Sequence, residues 1–182
     1  MKTKYLVTSA LMAALTAAGS LIKIPTPLAP ITLQVFFMLA SGMLLGKRYG
    51  ALSQLLYALM GLLGFPIFST GGGIGYTLTP TFGFILGFIA ASYLVGRISE
   101  KGTTFIRLMT ACLSGLAVMY LVAIPYMTLI LNFYLKKGFR FGHILKIGML
   151  IYLPGDILKC FLCAVLGVKL TRLSSGVFKK NN

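Results

Sequence analysis

Residues 147–170 read IGMLIYLPGDILKCFLCAVLGVKL, an apolar run that contains Asp156 and Lys159. About 20 apolar residues carry a helix across a hydrocarbon core of roughly 30 Å. This stretch meets that length and still holds two charges. A charge at the bilayer centre costs ~2.5–3.5 kcal/mol on insertion scales, so an ionisable group there needs a partner or a purpose. Asp156 and Lys159 stand three residues apart and share a helical face. Two readings follow: a self-neutralising ion pair near a helix end, or a polar patch turned toward a cavity, its carboxylate accepting ligand N–H groups and its lysine donating. Pro154-Gly155 suits a helix start, which sets Asp156 near the positive end of a helix dipole.

Outward from this stretch the whole chain has the same character. Hydrophobic residues make up 58% of the 182, charged residues 10%, and mean hydropathy is +0.93. A soluble domain runs near 45–50% apolar and ~25% charged, so lipid is the solvent for most of this surface. The pattern predicts an all-α integral membrane protein, a single membrane domain over 1–182. Six transmembrane helices are expected, at about 5–22, 31–45, 49–68, 81–95, 104–133 and 147–170. Pro125 predicts a kink or break near Ala123–Pro125. Lys2 and Lys4 before an apolar run resemble a signal peptide, but the run continues into further segments and a retained first helix is expected. Lys23–Pro30 (KIPTPLAP) predicts an ordered, extended first loop. Ser69–Pro80 (STGGGIGYTLTP) predicts a glycine-rich third loop able to fold tightly against a ligand.

A net charge of +15 would suggest nucleic acid in a soluble protein. Here the cations flank hydrophobic segments, the pattern of positive-inside topology. With both termini cytoplasmic, eleven of the Lys and Arg residues fall inside, Lys179 and Lys180 among them, and five outside. The exception is the fifth connection, where Lys136, Lys137, Arg140 and Lys146 fall outside.

Chemistry has few candidates. Glu100 and Asp156 are the only acids, too few for metal-carboxylate catalysis. Gly42-Met-Leu-Leu-Gly46-Lys47-Arg48 is too short for a phosphate-binding loop and lacks its Ser/Thr. His143 lies in a connecting loop. Cys112, Cys160 and Cys163 sit in apolar stretches, and Cys160-x-x-Cys163 has no second pair to complete a metal site. Catalysis, a metal and a cofactor are not expected, and any energy source must come from a partner. Gln34 is a second buried polar group, open to core bonding or ligand contact. Tyr57, Tyr76 and Tyr152 can stack on a flat ligand. Ala10, Ala14 and Ala18, with Ala13 and Ala17 beside them, form a small-residue face suited to internal packing or to a partner helix.

Five pieces together resemble the BioY family, the biotin-specific substrate-binding component of energy-coupling-factor (ECF) vitamin transporters. They are Pro30-Ile-Thr-Leu-Gln34; Leu39-Ala-Ser-Gly42-Met-Leu-Leu-Gly46 with Tyr57 and Gly61; Gly64-Phe-Pro66-Ile-Phe68 leading into Gly71–Gly75; Pro80-Thr81-Phe-Gly83-Phe84 with Gly87-Phe88; and Leu153-Pro154-Gly155-Asp156 with Lys159. The resemblance spans roughly 5–170. It implies a six-helix fold in the bacterial plasma membrane that binds biotin from outside, with a transmembrane coupling subunit and two cytoplasmic ATPase subunits as partners. By this resemblance the substrate site includes Gln34, Gly72, Gly73, Tyr76, Thr79, Tyr152, Asp156 and Lys159, and Ala10, Ala14 and Ala18 form the docking face. Backbone N–H groups around Gly71–Gly75 are offered to the ligand carboxylate. Where the family reads Gly-Pro-Thr-Gly-Gly-Tyr, this chain has Thr79-Pro80-Thr81-Phe82-Gly83-Phe84, and Tyr152 stands where phenylalanine is usual. Another vitamin, riboflavin or thiamine, is the alternative ligand. A structural membrane protein with an internal Asp-Lys pair is the alternative class.

Overall fold

A computed structural model of the chain describes residues 2–25 and 30–178. Residues 26–29 of the expected first loop, and Lys179 and Lys180, lie outside them. The order is α1 (Lys2–Leu21), β1 (Lys23–Ile24), β2 (Ile31–Thr32), α2 (Gln34–Leu62), a 3-10 turn (Ile74–Leu78), α3 (Phe82–Ser99), α4 (Phe105–Leu129), α5 (Phe141–Leu145) and α6 (Leu153–Phe178). The architecture is helical, with β1 and β2 forming one short antiparallel ribbon, Lys23 opposite Thr32. Among the described residues, four helical stretches are long and apolar enough to cross a membrane: Thr3–Leu21, Phe82–Ser99, Phe105–Tyr134 and Phe141–Leu170. The protein is a membrane protein on that composition and length.

Helix α2 is folded in two. Gly46 adopts φ 77 and ψ 177, outside helical space and in a region nearly exclusive to glycine. Gln34 hydrogen-bonds Tyr57, a pair that a straight helix would hold about 35 Å apart at 1.5 Å per residue. Gln54 likewise reaches Ser41 at 3.0 Å. A β-carbon on Gly50 would lie 2.6 Å from Gly42 Cα, so glycine at both positions lets the arms touch. The segments expected at 31–45 and 49–68 are therefore the two arms of one hairpin.

Several expected boundaries move. The third segment was expected to reach Phe68 but its helix stops at Leu62. Gly64 turns the chain at φ 107, and Pro66 cannot extend a helix backward into it. No break occurs at Pro125; α4 runs through it to Leu129, and the hydrogen-bond register widens instead into a π-helical turn at Ile130–Tyr134. The sixth segment begins earlier than 147, with α5, and passes through a second π-helical turn at Lys146–Leu150 before α6 starts at Leu153. Pro154 stands in the first turn of α6, where its missing N–H costs nothing.

Packing runs in chain order, α1 on α2, α2 on α3, α3 on α4, with α6 closing against α4 and α2. Polar glue joins the first four arms. Fully buried Gln54 donates from Nε2 to Thr16 of α1 (3.3 Å), Ser41 (3.0 Å) and Ser53 (3.1 Å), and Ser41 meets Ser92 of α3 at 3.0 Å. Such bonds substitute for the hydrophobic drive that lipid removes. The three cysteines are buried and free. Helix α1 resolves its small-residue faces: Ser9, Ala13, Thr16 and Ser20 turn inward, whereas Ala10, Ala14 and Ala18 are exposed.

Candidate substrate-binding site

A cavity opens at the end of the bundle away from the Gly46 hairpin tip. Its walls come from Pro30–Val35, Ser69, Tyr76, α3, α4 and the start of α6. Phe84, Ile85, Phe88 and Met119 supply an apolar side, and the polar groups gather in three places.

The first is Asp156, placed in the opening turn of α6 and only 3% exposed. Its Oδ1 accepts Lys159 Nζ at 2.7 Å and its Oδ2 accepts the Tyr120 hydroxyl at 2.6 Å. An isolated carboxylate at this depth would be untenable; two charge-strength bonds make it tolerable. Lys159 is equally buried and carries three donors, of which one serves Asp156. The second place is Gln34, whose Oε1 accepts from Thr32 Oγ1 at 2.8 Å and whose Nε2 donates to Tyr57. Tyr57 in turn donates to the Ile67 carbonyl at 3.1 Å. The third is Tyr76, held in the 3-10 turn with its hydroxyl met by Thr81 (3.0 Å), Ser69 (3.2 Å) and Thr70 (3.4 Å). Lys23 Nζ reaches the Ser69 carbonyl at 2.8 Å, tying the first loop to the third.

Of the residues expected at a site, Gln34, Tyr76, Tyr152, Asp156 and Lys159 share this one cavity. Gly72, Gly73 and Thr79 stand off its wall. A β-carbon on Gly72 would fall 2.1 Å from the Phe65 carbonyl oxygen, and Gly73 bends at φ 93. The N–H of Gly73 is given to Gly61 at 2.7 Å, and that of Gly71 to Phe68 at 3.2 Å. These two amides are thus spent on closing the loop, not free for an anion. Thr79 donates to the Tyr76 carbonyl at 2.7 Å and meets Thr81 at 3.1 Å, steadying the turn from behind. Tyr120 was missed altogether: one tyrosine inside an apolar helix has no local signal, and only its bond to Asp156 marks it. Thr32, Ser69 and Thr81 were missed for the same reason.

The BioY family model matches residues 1–176. This chain belongs to the BioY family. It is 39% identical over 173 residues to a probable biotin transporter BioY of Lysinibacillus sphaericus, covering 94% of this chain and 88% of the relative. It is 30% identical over 171 residues to the biotin transporter BioY of Thermotoga maritima, covering 93% and 97%. Its fold matches the crystal structure of the S-component for biotin from an ECF-type ABC transporter with TM-score 0.71 and 26% identity, over 94% of this chain and 92% of that one. These BioY relatives are transporters, in keeping with a chain expected to have no catalysis.

The departures from the BioY pattern fall in different places. Phe84 lines the cavity, its ring 6.0 Å from Tyr120 and 6.4 Å from Tyr152. Phe82 is buried behind it, among Phe68, Tyr76 and Tyr126. Tyr152 lines the cavity.

Proposed function

We propose that this chain is the membrane-embedded biotin-binding subunit of an ECF-type vitamin uptake transporter. The observation that carries the reading is the hydrogen-bonded Asp156–Lys159–Tyr120 group on the wall of a cavity that also has an aromatic, apolar side. Biotin's ureido ring has two N–H donors and one carbonyl acceptor. A carboxylate with a neighbouring ammonium complements that set, and Phe84, Phe88 and Tyr152 complement its bicycle and alkyl chain. Gln34 and Tyr76 are assigned to the same site, with Gly72, Gly73 and Thr79 shaping the loop behind Tyr76. The names of the relatives favour the same ligand.

Six membrane crossings belong to this reading, counting each arm of α2 as one. Both termini are then cytoplasmic and the cavity opens outward, in the bacterial plasma membrane. The exposed Ala10, Ala14 and Ala18 stripe docks on the transmembrane coupling subunit, with two ATPase subunits beneath supplying the energy. No cofactor is required.

Isothermal titration of the purified protein with biotin, riboflavin and thiamine tests the assignment. Only biotin is expected to bind, and Asp156→Asn is expected to weaken it by at least about tenfold, the loss of one charged hydrogen bond, with helical content retained. Unchanged affinity in that variant would remove Asp156 from the site. Binding of another vitamin instead would reassign the ligand.

A further inference from the structure

The connection between α4 and α5 carries charge that the cavity does not use. Lys136, Lys137, Arg140 and Lys146 are all exposed, and none takes part in an ion pair among the described residues. The segment is nonetheless built. Lys136 and Gly138 reverse the chain at φ 51 and φ 64. Asn132 clamps Phe139 twice, Nδ2 donating to its carbonyl at 2.9 Å and Oδ1 accepting its N–H at 2.8 Å. His143 packs on the Phe139 ring at 4.9 Å. Four cations are thereby displayed at the end of the bundle where α4 meets the glycine-rich loop through Tyr126 and Thr77. With the termini cytoplasmic, as the proposed function has them, this end faces outward, where positive-inside topology has no use for these cations.

Beside this display runs an apolar groove of about 490 Å³ between Leu113, Leu121 and Pro125 of α4 and Phe141, Leu145 and Met149 opposite. Met149 of its wall belongs to the π-helical turn at Lys146–Leu150, a device that widens a helix locally. Leu121 is 73% exposed and Phe141 59%, so the groove faces lipid. Arg140 directly precedes Phe141 and Lys146 directly follows Leu145. Arg140 and Lys146 thus stand next in the chain to two residues of the groove wall.

Any acyl chain fits an apolar groove, so selection comes from the charge. We infer that this groove seats an acyl chain of an anionic glycerophospholipid whose phosphate lies among Lys136, Lys137, Arg140 and Lys146. A zwitterionic headgroup brings its own ammonium against the same cations and is held less well. Clustered basic residues beside membrane helices gain roughly 1 kcal/mol each from anionic lipid. Tyr120 lines both the groove and the ligand cavity, which makes the lipid a neighbour of the Asp156 group.

The chain has no tryptophan, which permits a direct test. Leu121→Trp places the only indole in the groove, and Leu86→Trp places it on the lipid-exposed side of α3. Each protein is reconstituted in phosphatidylcholine–phosphatidylglycerol vesicles in which one lipid or the other carries brominated, quenching acyl chains. At position 121 phosphatidylglycerol is expected to associate at least about fivefold better than phosphatidylcholine, a gain of one cation's worth. At position 86 the ratio is expected near one. The ratio at 121 should fall toward one when K136Q, K137Q, R140Q and K146Q are combined. Should that variant fail to insert, 0.5 M salt on the parent protein replaces it, since exposed charges are screened. A ratio near one at 121, equal ratios at both positions, or a ratio indifferent to both neutralisation and salt overturns the inference. So does a variant that slows biotin association while leaving the lipid ratio unchanged, because the cations would then serve the ligand.

Discussion

The two acids of this chain are both paired with lysine, and the two pairs do opposite jobs. Asp156 and Lys159 are buried at 2.7 Å on a cavity wall. Glu100 and Lys47 lie 3.3 Å apart with side chains 41% and 36% exposed, at the tip of the α2 hairpin. Glu100 also accepts the Lys47 backbone N–H at 3.0 Å, so it fastens the turn at Gly46 to the end of α3. Burial makes the first pair costly to break and able to present polar groups to a ligand. Exposure makes the second a weak clasp. On the proposed function, the same two chemical groups become a binding device or a fastener according to the solvent around them.

The sharpest break in that comparison is Lys159→Met, which leaves a buried carboxylate without its cation. A loss of about 3–5 kcal/mol is expected, read as a lowered unfolding midpoint in detergent. Adding Asp156→Leu to Lys159→Met should restore most of that stability, since an apolar replacement of a buried pair is often neutral or better, yet leave biotin binding absent. A double variant that binds biotin would make the pair a structural feature only. Next in size is Tyr120→Phe, which removes one donor to Asp156 Oδ2 without emptying the core. It should weaken biotin binding by about 1.5–3 kcal/mol, the value of a bond to a charged group, measured by titration calorimetry. Gly46→Ala follows. Its φ of 77 and a β-carbon 2.8 Å from Glu100 Oε1 should cost about 1–3 kcal/mol, read by denaturation, with biotin affinity unchanged in the fraction that folds.

The buried pair was legible in the sequence because two charges in an apolar run violate a strong rule. The glycine-rich loop and the Pro-Gly start of α6 were legible for a like reason: each breaks a helix where one would otherwise continue. The hairpin at Gly46 was visible only as a break between the spans expected at 31–45 and 49–68, since nothing local distinguishes a folding glycine from one that merely packs. At Pro125 the break does not occur: α4 runs through it and its register widens only at Ile130–Tyr134. Tyr120 was invisible because its type is common in such helices, and Thr32 and Thr81 stood only as members of quoted stretches, without a site role. What makes them part of the cavity is the partner across the bundle.

Glu100→Gln is the mildest change and the one that probes the exposed clasp most directly. The Lys47 backbone N–H, above all, with the Lys47 and Arg48 charges adding to it, holds the Glu100 carboxyl below the usual glutamate range. A carboxyl lowered on folding contributes stability that is complete above its unfolded value, near 4.3, and disappears as pH falls through the lower folded value. The parent protein and E100Q should therefore differ by a constant amount from neutrality down to about pH 5. The gap should then close in more acid solution as Glu100 is protonated. Its size should not exceed about 1 kcal/mol, because the pair is exposed and screened, and glutamine keeps an oxygen for the Lys47 N–H. Denaturation midpoints of the two proteins across this pH range read the gap. A difference that persists undiminished in acid would place the contribution of Glu100 in packing and not in charge, and the contrast with Asp156 would then rest on burial alone.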